Sequence, residues 1–144
     1  MSSPMNAPAP RPLPAPTDLT APYWAAARRG QLVIQRCAHC QRHQFYPRSF
    51  CMHCMGETLD WLQASGLGRI YTFTVNRRGA NAFMAGRTPY AVAIVELEEG
   101  VRLMANIVDS RLEDIAIGKP VKVVFEAASD DITLPQFRLA DAAP

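Results

Sequence analysis

The sequence predicts a mainly β chain in three parts: a short N-terminal helix, a cysteine-bearing ribbon and a five-stranded barrel. Three observations carry that prediction. Every cysteine falls in one stretch, Cys37-Ala-His-Cys40 and Cys51-Met-His-Cys54, with ten residues between the pairs. Downstream, short runs enriched in β-branched and aromatic residues alternate with period two. A single helical turn interrupts those runs between the third and the fourth, which is the strand order of an OB-type Greek-key barrel.

The bounds follow from composition. A chain of 144 residues with 49% apolar content is one typical domain, or a small one plus an appended module, with enough apolar surface for a core. No apolar run reaches the length of a membrane span, and no basic start precedes an apolar stretch. The expectation is a cytoplasmic protein with no membrane partner. The net charge of +2 hides a split. Residues 28–87 hold nine Arg against two acids, whereas residues 88–144 hold five Lys or Arg against ten acids. The middle of the chain therefore favours anions.

The parts divide at residues 1–17, 18–30, 31–65 and 66–140. Pro4, Pro8, Pro10, Pro12, Pro14 and Pro16 make the first a disordered or polyproline-like tail with little apolar surface to bury. Thr20 then offers an N-cap hydroxyl, Pro22 is tolerated in a first turn, and Gly30 supplies a left-handed stop. Tyr23 and Trp24 are too large to leave uncovered on so short a helix, so they dock on this protein's own barrel or on a partner.

In the ribbon, two C-x2-C turns facing each other set four sulfurs at the corners of a tetrahedron. Cys37, Cys40, Cys51 and Cys54 therefore read as ligands of a structural Zn²⁺ with a closed shell, and iron fits the same four sulfurs. Nothing directs the chain to an oxidising compartment, which argues against disulfides. The first pair follows a strand-like run rather than opening a helix, which argues against a redox dithiol. His39, His43 and His53 are surplus beside four thiolates. Such knuckles favour glycine after the second cysteine, where the backbone turns left-handed, yet Gln41 and Met55 stand there. One or both turns are expected to be strained or of another type.

Residues 58–63 read as a ribbon strand anchored by Leu59 and Trp61. Residues 69–76 alternate Tyr71, Phe73 and Val75 against Ile70, Thr72 and Thr74. Residues 90–98 and 101–108 pair through Glu99-Gly100 as a hairpin. Ser110 and Glu113 have capping-box spacing at the start of a helical turn, and residues 121–127 and 132–139 supply the last strands. Residues 91–97 are apolar on both faces, so the ribbon, the helix or a partner must cover the outer one.

The connection at residues 76–89 is long for a hairpin and carries Arg77, Arg78, Phe83, Met84 and Arg87. Loops of that length are either functional or solvated and mobile. Arginine pairs with phosphate, and Phe83 offers a face for an adenine or a pantetheine arm, which together suit an acyl-CoA. A nucleic-acid module is the competing reading, since ribbons and OB barrels both serve it. Glu96, Glu98 and Glu99 on the second and third barrel strands, against Arg102 alone, oppose a phosphate backbone there. No nucleophile motif, P-loop or dinucleotide fingerprint is present, so an independent enzyme is not expected.

The helix bearing Tyr23-Trp24, the four-cysteine ribbon, the barrel entry Gly68-Arg-Ile-Tyr-Thr-Phe-Thr-Val75, Pro89-Tyr90 and the strand at 101–109 together resemble a known family. It is the OB-fold and zinc-ribbon (rubredoxin-like) family of acyl-CoA-associated proteins, and the likeness spans roughly residues 18–140. The resemblance implies a non-catalytic accessory subunit of a thiolase-like or hydratase-like enzyme in acyl-CoA, polyketide or steroid and lipid metabolism. With such a role, Arg77, Arg78, Phe83 and Arg87 of the loop, together with Tyr90, are the candidate contacts to the acyl-CoA. A purely structural, stabilising subunit is the remaining alternative.

Overall fold

A computed structural model of the chain describes residues 10–141. Of the tail expected at residues 1–17, positions 1–9 lie outside the described residues, and positions 10–17 contain no helix or strand. Helix α1 (Ala21–Arg28) follows, with Pro22 in its first turn. Thr20 sits at the N-cap, but its hydroxyl accepts the Thr17 amide at 2.9 Å rather than a helix N–H. The expected side-chain cap is thus spent on the turn before the helix. Gly30 takes φ +76° and ends the helix, as its freedom from a Cβ allows.

The ribbon is a small antiparallel sheet in the order β2-β1-β3, built from β1 (Val33–Cys37), β2 (His43–Gln44) and β3 (Leu59–Gln63). Gln35 in β1 stands opposite both Gln44 and Trp61. Only residues 64–66 separate β3 from the barrel. It comprises β4 (Leu67–Asn76), β5 (Tyr90–Leu97), β6 (Arg102–Ile107), β7 (Pro120–Ala127) and β8 (Thr133–Leu139), closed in the order β4-β5-β6-β8-β7. A short helix α2 (Ala82–Ala85) lies in the β4–β5 connection, and a 3-10 turn (Leu112–Asp114) precedes β7. The barrel closes where β6 and β8 meet in parallel at Ile107 and Phe137.

The interior is filled by Ile70, Val95, Leu103, Val121, Phe137 and Leu139, all buried. Each such side chain contributes roughly 1.5–3 kcal/mol over an exposed one. β5 alternates strictly: Ala91, Ala93, Val95 and Leu97 are buried, and Val92 and Ile94 are half-buried on the outer face.

Two local expectations are corrected. The register of β4 slips between Ile70 and Thr72, a β-bulge. Ile70 and Phe73 therefore both pack on the core, and Tyr71 turns outward at 49% exposure. There Tyr71 lies under the Arg102 guanidinium, 3.7 Å from ring centroid to Cζ, with Arg102 also bonded to Glu96. The Ser110 capping box does not form either. The Ser110 hydroxyl donates to the Val108 carbonyl and accepts the Leu139 amide, tying the turn to β8 instead of capping it.

Helix α1 packs on β1 and on β7 and β8, at the joint between ribbon and barrel. Its Tyr23, Ala26 and Ala27 are buried. The Tyr23 ring meets Phe45 and Tyr46 of the ribbon at 5.6 and 6.3 Å between centroids. The large aromatics of the helix are thus covered, wholly or in part, by this chain itself.

Candidate functional site

Two features stand out: a cluster of sulfurs in the ribbon, and a groove where ribbon and barrel meet.

The sulfurs are brought together by two matching turns. The Gln41 amide bonds the Cys37 carbonyl and the Met55 amide bonds the Cys51 carbonyl, each at 2.9 Å. Gln41 and Met55 both adopt the left-handed backbone, at φ 70° and 68°, although neither is glycine. Both turns are therefore knuckles with a side chain at the left-handed position that favours glycine, strained as expected and not of another type. Arg36 holds Gln41 in place, donating to its carbonyl and to its side-chain oxygen. Between the turns, the buried side chains of Gln35 and Gln44 stitch residues 45–52. The Gln35 amide donates to the Arg48 carbonyl and its oxygen accepts the Arg48 N–H. Gln44 does the same between the Phe50 carbonyl and the Met52 N–H. The side chains also bond each other at 2.7 Å.

Cys37, Cys40, Cys51 and Cys54 are all unpaired, and their Sγ atoms lie within 4.8 Å of one another. Cys37–Cys54 and Cys40–Cys51 approach to 3.6 Å. A tetrahedron of metal–sulfur bonds near 2.3 Å has edges of about 3.8 Å, so the cluster fits a four-thiolate ion. The protons agree. The Cys40 amide, then the His39 amide and the neighbouring thiols, hold Cys37 below the ordinary thiol range against its burial. Burial works to raise Cys51, but the amides of Cys54 and His53 outweigh it and bring that thiol down to about 7. The Gly56 amide works to lower Cys54, yet burial and the three neighbouring sulfurs push it up to about 12. The backbone amides thus favour the thiolate form at Cys37 and Cys51, and a cation at the centre would offset the crowding that opposes it at Cys54. Among the described residues no histidine joins the cluster. His53 reaches the His43 carbonyl and Arg42 instead.

The groove has a volume of about 700 Å³. Helix α1 contributes Tyr23 and Trp24, and the ribbon contributes Phe45 and Tyr46, which lie between the two cysteine pairs. Phe83 and Met84 of α2 line it as well, with Val92, Met104 and Gln136 of the barrel. Arg11 and Pro12 of the N-terminal segment complete the lining. Desolvation, and then the neighbouring Tyr46, push the Tyr23 phenol well above its ordinary range, so it stays neutral.

Of the residues singled out in the β4–β5 connection, Phe83 and Tyr90 line the groove. The Tyr90 hydroxyl accepts the Ala80 amide and the Asn76 side chain, which fixes the loop's first turn. Asn81 caps α2 by accepting the Met84 amide, and a Cβ on Gly79 would collide with the backbone of Ala85. Arg87 lies over the Phe83 ring at 4.8 Å and bonds Glu126 of β7 at 3.0 Å. Arg77 and Arg78 are exposed at the loop's start, outside the groove lining. Arg11, Trp24 and Tyr46 also line the groove, and Glu126, outside the lining, holds Arg11 and Arg87. Only Trp24 carried a sequence signal, its size on a short helix; the other three are joined to the loop by the fold alone.

Comparison with known proteins gives these features a family. The model for the "ChsH2, rubredoxin-like zinc ribbon domain" matches residues 24–60, and that for the "ChsH2, C-terminal OB-fold domain" matches residues 61–126. The chain is 39% identical over 130 residues to a probable enoyl-CoA hydratase alpha subunit of Thermomonospora curvata, covering 90% of this chain and 40% of that protein. It is 37% identical to a DUF35 domain-containing scaffold protein of Methanocaldococcus jannaschii, covering 69% of this chain and 71% of that one. A benzoylsuccinyl-CoA thiolase subunit of Thauera aromatica is 32% identical over 66% of this chain and 58% of its own. Among solved structures, one described as an Ltp2-ChsH2(DUF35) aldolase superposes with a TM-score of 0.80 at 38% identity, over 89% of this chain and 99% of that one. The chain therefore belongs to the DUF35 family, with a ChsH2-type rubredoxin-like zinc ribbon joined to an OB-fold domain.

Proposed function

We propose that this chain is a non-catalytic accessory subunit that docks on a thiolase-like or hydratase-like enzyme and helps to hold its acyl-CoA. The single observation that carries the reading is the aromatic groove at the joint, with the exposed Arg77 and Arg78 at the start of the loop that walls it. An apolar trough near free guanidinium groups matches a ligand with an apolar arm and a phosphorylated end. Among the described residues the lining holds no Cys, His, Lys, Asp or Glu, which supports holding rather than chemistry. The relatives named as hydratase and thiolase subunits support the class of partner.

Cys37, Cys40, Cys51 and Cys54 would hold Zn²⁺, which in a closed four-thiolate shell supplies folding energy and no open position for substrate. The same site keeps Phe45 and Tyr46 in the groove wall. Because Arg87 is engaged by Glu126, contact with the phosphates falls chiefly to Arg77 and Arg78.

The test is R77A/R78A in the complex with the partner enzyme. Removing one charge-assisted hydrogen bond costs about 1.5–3 kcal/mol, so the Kd for CoA esters should rise at least tenfold while the subunits stay associated. An unchanged Kd would leave a scaffold that stabilises the enzyme without touching ligand, a role in keeping with the relatives named scaffold proteins. Tight, salt-dependent binding of single-stranded nucleic acid, abolished in the same variant, would overturn the reading altogether.

A further inference from the structure

The N-terminal segment enters the site in a way its proline-rich composition does not announce. Between residues 10 and 19 only Arg11 and Pro14 are half-buried. That three-residue spacing equals the repeat of a polyproline II helix. Arg11 is the point of attachment. Its Nη1 donates to Glu126 Oε1 at 2.6 Å, and its side chain keeps 13% of its accessible surface. Arg87 donates to that same Oε1 from the loop. Both guanidinium groups stack on the Phe83 ring, at 4.9 and 4.8 Å from its centroid. One carboxylate and one ring thus join three separated pieces of chain: the segment, the β4–β5 loop and β7.

We infer that Arg11 is a positioning residue, a clasp that fixes the β4–β5 loop against β7 and so sets the width of the groove mouth. Two observations carry this together. Phe83 is a groove wall, and the loop is tied to β7 through Arg87 and Glu126, which Arg11 shares. Without Arg11, the Phe83 ring loses one of its two cation contacts and Glu126 keeps one of its two positive partners. The loop then holds by Arg87 alone, whose side chain is 43% exposed and correspondingly weak as an anchor. The clasp depends on geometry alone and operates whether or not the groove takes an acyl-CoA.

Hydrogen exchange in the full chain tests it. R11A and E126Q should each speed exchange of the amides at residues 79–89 by roughly tenfold, with exchange in the core strands unchanged. R11K keeps the charge but not the planar fork, and should fall between wild type and R11A. Deleting residues 2–9, which leaves Arg11 in place, should change nothing in the loop. Wild-type loop exchange in R11A would overturn the inference, as would a rise spread evenly over the barrel, which marks general destabilisation. Because the readout needs no ligand, failure here is separable from failure of the R77A/R78A test.

Discussion

At the scale of single residues, the two knuckles show how a local cost is carried. A side chain at left-handed φ is disfavoured, and Gln41 and Met55 both take that conformation because the opposing sulfurs require the turn. Gln41 recovers something through Arg36. Met55 is 68% exposed and is the better place to relieve strain. Met55→Gly is expected to stabilise the ribbon by up to about 1 kcal/mol, the left-handed gain exceeding the extra entropy of the unfolded chain. Thermal denaturation of the metal-loaded protein measures it; a drop in stability would show that Met55 contributes packing at the turn. The spacing of the cysteines was legible because metal chemistry is written in residue types. The acceptance of non-glycine turns was not, because it depends on the balance between one backbone well and the whole sheet around it.

At the scale of elements, period and turn chemistry made the strands readable, and the failures have local physical causes. A one-residue bulge in β4 moves Tyr71 out of the alternation, and alternation cannot show a bulge unless glycine marks it. Ser110 had a rival partner in β8 that is distant in sequence. The β4–β5 loop reads as irregular, yet it holds a capped helical turn and an ion pair to β7. That ion pair carries a pH dependence. Burial works to raise the Glu126 carboxyl, but the hydrogen bonds and charges of Arg11 and Arg87 outweigh it and hold it below the ordinary 4.5. A depressed acid contributes stability above its unfolded value and loses it as pH falls through its folded one. Loop protection is therefore expected to be full at neutral pH and to weaken below about pH 4.5, the unfolded reference. Exchange rates of residues 79–89 across that range, with Glu126→Gln as the control lacking the step, check the assignment.

At the scale of the molecule, ribbon and barrel are stitched rather than hinged. The Ser65 amide bonds the Glu99 carboxylate across the joint, and helix α1 packs on β1 of the ribbon as well as on β7 and β8 of the barrel. The three-part plan was legible from composition and spacing, since each part has its own periodicity. The groove was not, because its walls come from separate regions of chain that no sequence pattern links. Metal removal separates the parts: Cys37→Ser or Cys54→Ser should unfold the ribbon, whose ion would contribute on the order of 10 kcal/mol, while the barrel keeps its β signal. Metal content and far-UV dichroism together decide it; unchanged thermal stability of a metal-free preparation would refute it. Phe45 and Tyr46 give that outcome a wider meaning. They stand between the two cysteine pairs and also face the groove, so the groove and the sulfur cluster share one segment of backbone. Coupling between two sites that share a wall is thermodynamically reciprocal. Whatever settles in the groove and steadies that wall should tighten the hold on the ion, by the same factor with which the ion tightens the groove for its occupant. Competition with a chelator is then an assay for occupants of the groove, one that requires no enzymatic turnover and works while the ligand is still unidentified.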